Sequence, residues 1–135
     1  MKVVFLTTPE LRAEHWQQAR GLLGRVVDEA CHGEFDLADL DQMVSDGSAI
    51  AVIGGECQIA MVFEFVSYPR KQVINIMAIA GSGLQQAAVT FLGVFREWAA
   101  ESGFNEIEAC VSPAMARFLQ PIGFKHTYDL VRMPC

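Results

Sequence analysis

Val73-Ile-Asn-Ile-Met-Ala-Ile-Ala80 runs into Gly81-Ser82-Gly83 and then into a helical pattern opening at Leu84, and this stretch decides the fold. Eight residues with one polar interruption predict a buried strand. The apolar positions Leu84, Ala87, Ala88, Phe91, Phe95, Trp98 and Ala99 fall on one face of a helix, with Gln85, Gln86, Arg96, Glu97 and Glu101 largely opposite. Ser102-Gly103 closes it, glycine serving as a left-handed cap. A strand entering a glycine turn and then a helix N-terminus is a device for holding an anion. First-turn N–H groups lack intrahelical partners, and the helix dipole adds roughly half a positive charge there.

Upstream of this unit, Ala49 to Ile53, Gly54-Gly55 and Cys57 to Val66 read as a hairpin with a two-residue loop. Ser67-Tyr68-Pro69-Arg70 turns the chain into the Val73 run, so three antiparallel strands lead to the glycine turn. Further back, Lys2 to Leu6 is a short strand, and Thr8-Pro9 caps a helix through Leu11, Trp16, Ala19, Leu22, Leu23, Val26, Val27 and Ala30. That helix is expected to break near Gly21 or Gly24 and to end around His32-Gly33, with Trp16 as a core anchor. Asp36 caps a second helix over Leu37, Leu40, Met43 and Val44, closed by Asp46-Gly47. The carboxylates at Asp36, Asp39 and Asp41 suit a helix dipole without any bound cation.

Downstream, Phe104 to Val111 alternates Ile107, Ala109 and Val111 against Glu106, Glu108 and Cys110, as a half-covered strand does. Ser112-Pro113 opens a short helix stopped at Pro121-Ile122-Gly123, and Phe124 to Met133 reads as a last strand.

The chain has 135 residues, 52% of them hydrophobic, enough for one core and one domain over residues 1–135. A net charge of −6 with ten scattered basic residues argues against a partner that is nucleic acid or anionic membrane. No apolar run reaches transmembrane length, so a soluble, cytoplasmic protein is expected. The four cysteines, Cys31, Cys57, Cys110 and Cys135, show no Cys-x-x-Cys spacing and are expected as reduced thiols. Cys31-His32 with His15 or His126 does not follow a zinc spacing, so no metal site is expected.

The order strand, glycine turn, long helix, strand, short helix and Gly-Phe, clearest over Val73 to Met133, resembles the GNAT superfamily of acyl-CoA-dependent N-acyltransferases. Arg117-Phe118-Leu119-Gln120-Pro121-Ile122-Gly123-Phe124 is similar to the family's carboxyl-terminal segment. The resemblance implies an α/β (α+β) fold: a mixed, mostly antiparallel twisted sheet, helices on both faces, and a splayed parallel pair of central strands. It also implies an acetyl-CoA site. Pyrophosphate would sit on backbone N–H groups of Gly81, Ser82, Gly83, Leu84 and Gln85, and the pantetheine arm would pair with Met77, Ala78 and Ile79.

Two positions depart from the family pattern. Ala78 stands where the loop's Gln or Arg would be, and Leu119 where the family's tyrosine acid would be. The short carboxyl-terminal end implies an acceptor side that is truncated or completed by another subunit, a homo-oligomer or an assembly partner. Compact chains with an altered catalytic set also occur among phage virion-associated GNAT-like proteins, which this sequence is similar to as well.

Two functions follow as expectations. One is transfer of an acetyl group from acetyl-CoA to a small-molecule or peptide amine, with Glu64 as base and Tyr128 and Cys110 as further groups able to handle a proton. The other is a catalytically degenerate module that binds CoA or serves assembly.

Overall fold

The computed structural model describes the backbone of residues 1–135 and every side chain except those of Ala30 and Leu84. The elements run β1 (Val3–Phe5), α1 (Pro9–Ala30), α2 (Leu37–Asp46), β2 (Ala49–Gly54), β3 (Ile59–Tyr68), β4 (Lys71–Gly81), α3 (Leu84–Glu101), β5 (Glu106–Glu108) and α4 (Pro113–Leu119), with a 3₁₀ turn over Gln120–Ile122. The five strands form one sheet in chain order, antiparallel throughout except for the parallel pair β4–β5.

Helices cover both faces. On one, Trp16, Ala19, Leu23 and Val27 of α1 and Leu40 and Val44 of α2 pack on Ala51, Ile53, Ala60, Val62, Ala78 and Ala80. On the other, Ala88, Phe91, Leu92, Phe95 and Ala99 of α3 and Leu119 of α4 pack on Val52, Ile59, Met61, Phe63, Ile74 and Ile76. No helix among the described residues is long and apolar enough to cross a membrane.

The caps read from the sequence are in place. Thr8 accepts from the Leu11 N–H, Asp36 and Asp39 form a reciprocal capping box, and Ser112 accepts from the Met115 N–H. In contrast, α1 is continuous through Gly21 and Gly24. Ala19, Leu23 and Val27 are buried on either side of the glycines, and that burial outweighs a cost of about 1 kcal/mol per glycine. The expected end of α1 at His32-Gly33 moves to Ala30, whose side chain lies outside the described residues.

The first hairpin also differs from the two-residue loop expected. Gly55–Gln58 form its connection, with Gly55 and Cys57 both at positive φ, because the Cys57 side chain turns into the α1-side core.

Two strands are shorter or absent. Phe104 to Val111 reads as a strand from the sequence, yet only Glu106–Glu108 are extended and paired with β4, so the parallel pair is open beyond them, as the expected splay requires. Phe124 to Met133 forms no strand. Three residues of β5 offer too few ladder bonds to recruit a sixth strand, and no layer lies over Tyr128, Leu130, Val131 and Met133, which stay 58–88% exposed. Phe124 against the α3-side core and an Arg132–Glu34 ion pair hold this segment to the body instead.

Candidate active site

The opening begins with a counting error built into β4. Val62 of β3 pairs with Ala78, but the next residue, Phe63, pairs with Ile76, so Met77 has no partner. The alternation of faces breaks there as well. Ile74 and Ile76 face α3, Met77 and Ala78 both face α1, and Ile79 returns to the α3 side. Such a bulge bends its strand and sharpens the twist.

Its position decides what it does. β4 pairs with β5 only through Val73, Ile74 and Asn75, opposite Glu106, Ile107 and Glu108. The bulge follows two residues later, and from Ile76 to Gly81 the β5-facing edge of β4 has no strand along it. Backbone groups on such an edge are strand-pairing donors and acceptors without a strand. Met77, Ala78 and Ile79 all lie on this free edge.

The edge leads to the glycine turn. Gly83, at φ +67 and ψ +27, is the left-handed N-cap of α3, and among the described residues no side chain caps the helix. Its carbonyl accepts from the Gln86 and Ala87 N–H groups, while Ser82, Gly83 and Gln85 are exposed. Leu84, whose N–H the family resemblance adds to this set, is the first residue of α3, and only its side chain lies outside the described ones.

Gly81 has a different task from Gly83. A Cβ on Gly81 would lie 2.2 Å from the Gln58 carbonyl oxygen, so glycine there lets β4 close against the β2–β3 turn. Beside the turn, a recess of about 300 Å³ lies between α3 and α4, lined by Gln85, Ser112, Ala114, Met115 and Phe118.

On the α1 face, polar side chains cross three strands in one row. Glu64 of β3 is paired with Asn75 of β4, which is paired with Glu108 of β5. The Asn75 amide Nδ2 donates to Glu64 Oε1 at 3.0 Å, and both residues are half-buried.

At the other end of the row the Tyr68 hydroxyl is shared between Glu108 Oε1 and Oε2. That hydrogen bond holds the Tyr68 phenol above its ordinary value, helped by partial removal from water and by charge at Glu108, Tyr128 and Cys110. Lys71 lies over the Tyr68 ring, 5.9 Å from its centre, and its ammonium is held protonated to higher pH by its hydrogen bond to Glu106.

Of the residues named from the sequence, Glu64 thus sits in the row, while Cys110 and Tyr128 act on the Tyr68 phenol only as charges, more weakly than Glu108 does. Neither is hydrogen-bonded to Glu64 among the described residues. Cys110 and Tyr128 are both exposed, Tyr128 by 72%. Leu119 is buried in the α3-side core and does not line the recess.

Asn75, Glu108 and Tyr68 were missed. A signal existed, for Asn75 is the one polar residue in Val73–Ala80 and Glu64 the one charge in Ile59–Val66. Antiparallel pairing places those two interruptions side by side.

No family model matches the sequence, and no curated relative does. Solved structures do resemble it. A probable acetyltransferase superposes with a TM-score of 0.76 at 14% identity, over 100% of this chain and 98% of that one. An aminoglycoside acetyltransferase from an uncultured soil metagenomic sample, solved with sisomicin, gives 0.72 at 12%, covering 99% and 94%. A predicted acetyltransferase from Clostridium acetobutylicum, solved with acetyl-CoA, gives 0.66 at 12%, covering 98% and 96%. At such identities the likeness is one of fold, and the fold is that of the GNAT acetyltransferases: a mixed α+β sheet, mostly antiparallel, with a parallel β4–β5 pair.

Proposed function

We propose that this protein is an N-acyltransferase that moves an acetyl group from acetyl-CoA to a primary amine. The observation that carries this is the free β4 edge past Asn75, leading into the uncapped N-terminus of α3. Residues 1–135 act as one domain, and the acceptor is a small-molecule or peptide amine in the cytoplasm.

When bound, acetyl-CoA supplies the acyl thioester: the acceptor nitrogen bonds to its carbonyl carbon, the C–S bond breaks, and CoA leaves as the thiol. The chain's own residues do the rest. Backbone groups of Met77, Ala78 and Ile79 pair with the pantetheine amides, while Gly81, Ser82, Gly83, Leu84 and Gln85 frame the anion site at the helix start. The recess beside Met115 and Phe118 takes the adjoining part of the arm.

Glu64 accepts the first proton from the acceptor ammonium and passes it to solvent, freeing the nitrogen lone pair. The second proton lost by the nitrogen ends on the departing sulfur, through Tyr128, Cys110 or water. Glu108, held by Tyr68, lies in the same polar row as Glu64 and Asn75.

A second reading is a module that binds CoA, or serves assembly, without turnover. Burial of Leu119 at the family's tyrosine position favours it. The phage-like similarity finds no support among the solved structures, and virion association is not needed by either reading.

Calorimetric titration with acetyl-CoA and desulfo-CoA, followed by thiol release with spermidine, sisomicin and a lysyl peptide, tests both. Sisomicin is included because the metagenomic neighbour was solved with it. Binding with turnover supports transfer, binding without turnover supports the module, and binding of neither compound removes both CoA readings.

A further inference from the structure

We propose that Asn75 is a positioning residue, whose amide fixes the Glu64 carboxylate so that one oxygen is left for the acceptor's proton. The proposal rests on acetyl transfer with Glu64 as base. It starts from an oddity of sequence: asparagine is disfavoured in strands, yet it interrupts the otherwise apolar run Val73–Ala80 of β4. Val73 and Ile74 before it are fully buried, and Ile76 after it nearly so.

Glu64 has little else to hold it. Its partner on β2 is Ala49, and its same-face neighbours along β3 are Val62 and Val66. Among the described residues, the Asn75 amide is the one side chain that donates to it, 3.0 Å from Oε1. A glutamate otherwise retains three rotatable bonds, and fixing one oxygen converts a wandering carboxylate into an aimed one.

The amide also stands where aim matters. Asn75 is the last residue of β4 paired with β5, one residue before Ile76 and two before the Met77 bulge. The same residue therefore closes the parallel ladder and steadies the base at the mouth of the opening. Asn75 itself touches no reacting atom in this scheme.

A mutant cycle separates positioning from mere satisfaction of a half-buried carboxylate. Asn75→Leu should lower kcat for acetyl-CoA-dependent thiol release about ten- to a hundredfold, leaving KM for acetyl-CoA and the desulfo-CoA affinity within about twofold. Asn75→Ser, which retains a donor, should recover most of the loss. Glu64→Gln should be at least as slow as Asn75→Leu, and the double variant no slower than Glu64→Gln alone.

Multiplicative losses in the double variant, or an active enzyme indifferent to Asn75→Leu, would overturn the proposal. Should Asn75→Leu not fold, Asn75→Ser and Glu64→Gln close the same cycle: a Ser variant as slow as Glu64→Gln would count against it. A wild type that binds desulfo-CoA but is silent with spermidine, sisomicin and a lysyl peptide overturns transfer itself, and the proposal with it.

Discussion

The Tyr68 hydroxyl lies 3.0 and 3.1 Å from the two carboxylate oxygens of Glu108, so a side chain of β3 reaches past β4 to hold β5. A phenol held above its ordinary value of 10.0 keeps its proton further into the alkaline range when folded than when unfolded. Its stabilising share is therefore whole below about pH 10 and fades as pH rises through the raised value.

The chain has two tyrosines, so Tyr128→Phe leaves Tyr68 as the sole phenol. Ultraviolet titration of that variant should show ionisation later than in an unfolded control, and adding Glu108→Gln should bring it earlier. Coincident curves before and after Glu108→Gln would show that the hydrogen bond is not what holds the proton.

The two turn glycines should fail differently. Gly81→Ala forces a Cβ against the Gln58 backbone and should cost about 1–3 kcal/mol in denaturant unfolding. Gly83→Val meets only the flexible Gln86 side chain, but a branched residue resists φ +67. The fold should survive while calorimetric affinity for desulfo-CoA is lost. Unchanged affinity in a folded Gly83→Val protein would make the turn a simple connector.

At position 119 a new hydroxyl should do harm. Leu119 is 8% exposed and packs with the α3-side core, so Leu119→Tyr overfills an apolar contact at a cost of about 1–3 kcal/mol. Melting temperature should fall with no gain in thiol release. A rise in turnover of roughly a hundredfold would instead mark a restored general acid.

Away from the opening, Asp41 ties α2 to α1. It accepts from Arg20 Nε at 2.8 and 3.0 Å and from the Trp16 indole at 2.8 Å. The Arg20 bond, more than the indole bond or the guanidinium charge, holds Asp41 below its ordinary value of 3.8, against a smaller opposing push from burial. The stabilisation is complete above the unfolded value and is lost as pH falls through the lowered one. Below about pH 4, the melting temperature of wild type should therefore fall more steeply than that of Asp41→Asn. Parallel curves would show that the pair contributes nothing measurable.

Much of the fold was legible because its signals are local. Thr8-Pro9, Asp36 with Asp39, Gly83 and Ser112-Pro113 each mark a helix end through groups within three residues of one another. The fate of Phe124–Met133 was not legible, because its alternation describes a strand only if a partner edge is long enough to receive it. The Glu64–Asn75–Glu108 row depends on register between distant segments. Its first half could be inferred from polar interruptions in two apolar runs, but its second half depends on the three-residue parallel pairing.

Elsewhere in this sheet, one added or removed residue would throw every following side chain onto the wrong face. Met77 is exempt, because it and Ala78 already share a face. Without Met77, Ile76, Ala78, Ile79 and Ala80 would still alternate correctly, and β4 would lose its bend. A single codon thus carries the one break in the β3–β4 register, and the hydrophobic pattern would read the same without it.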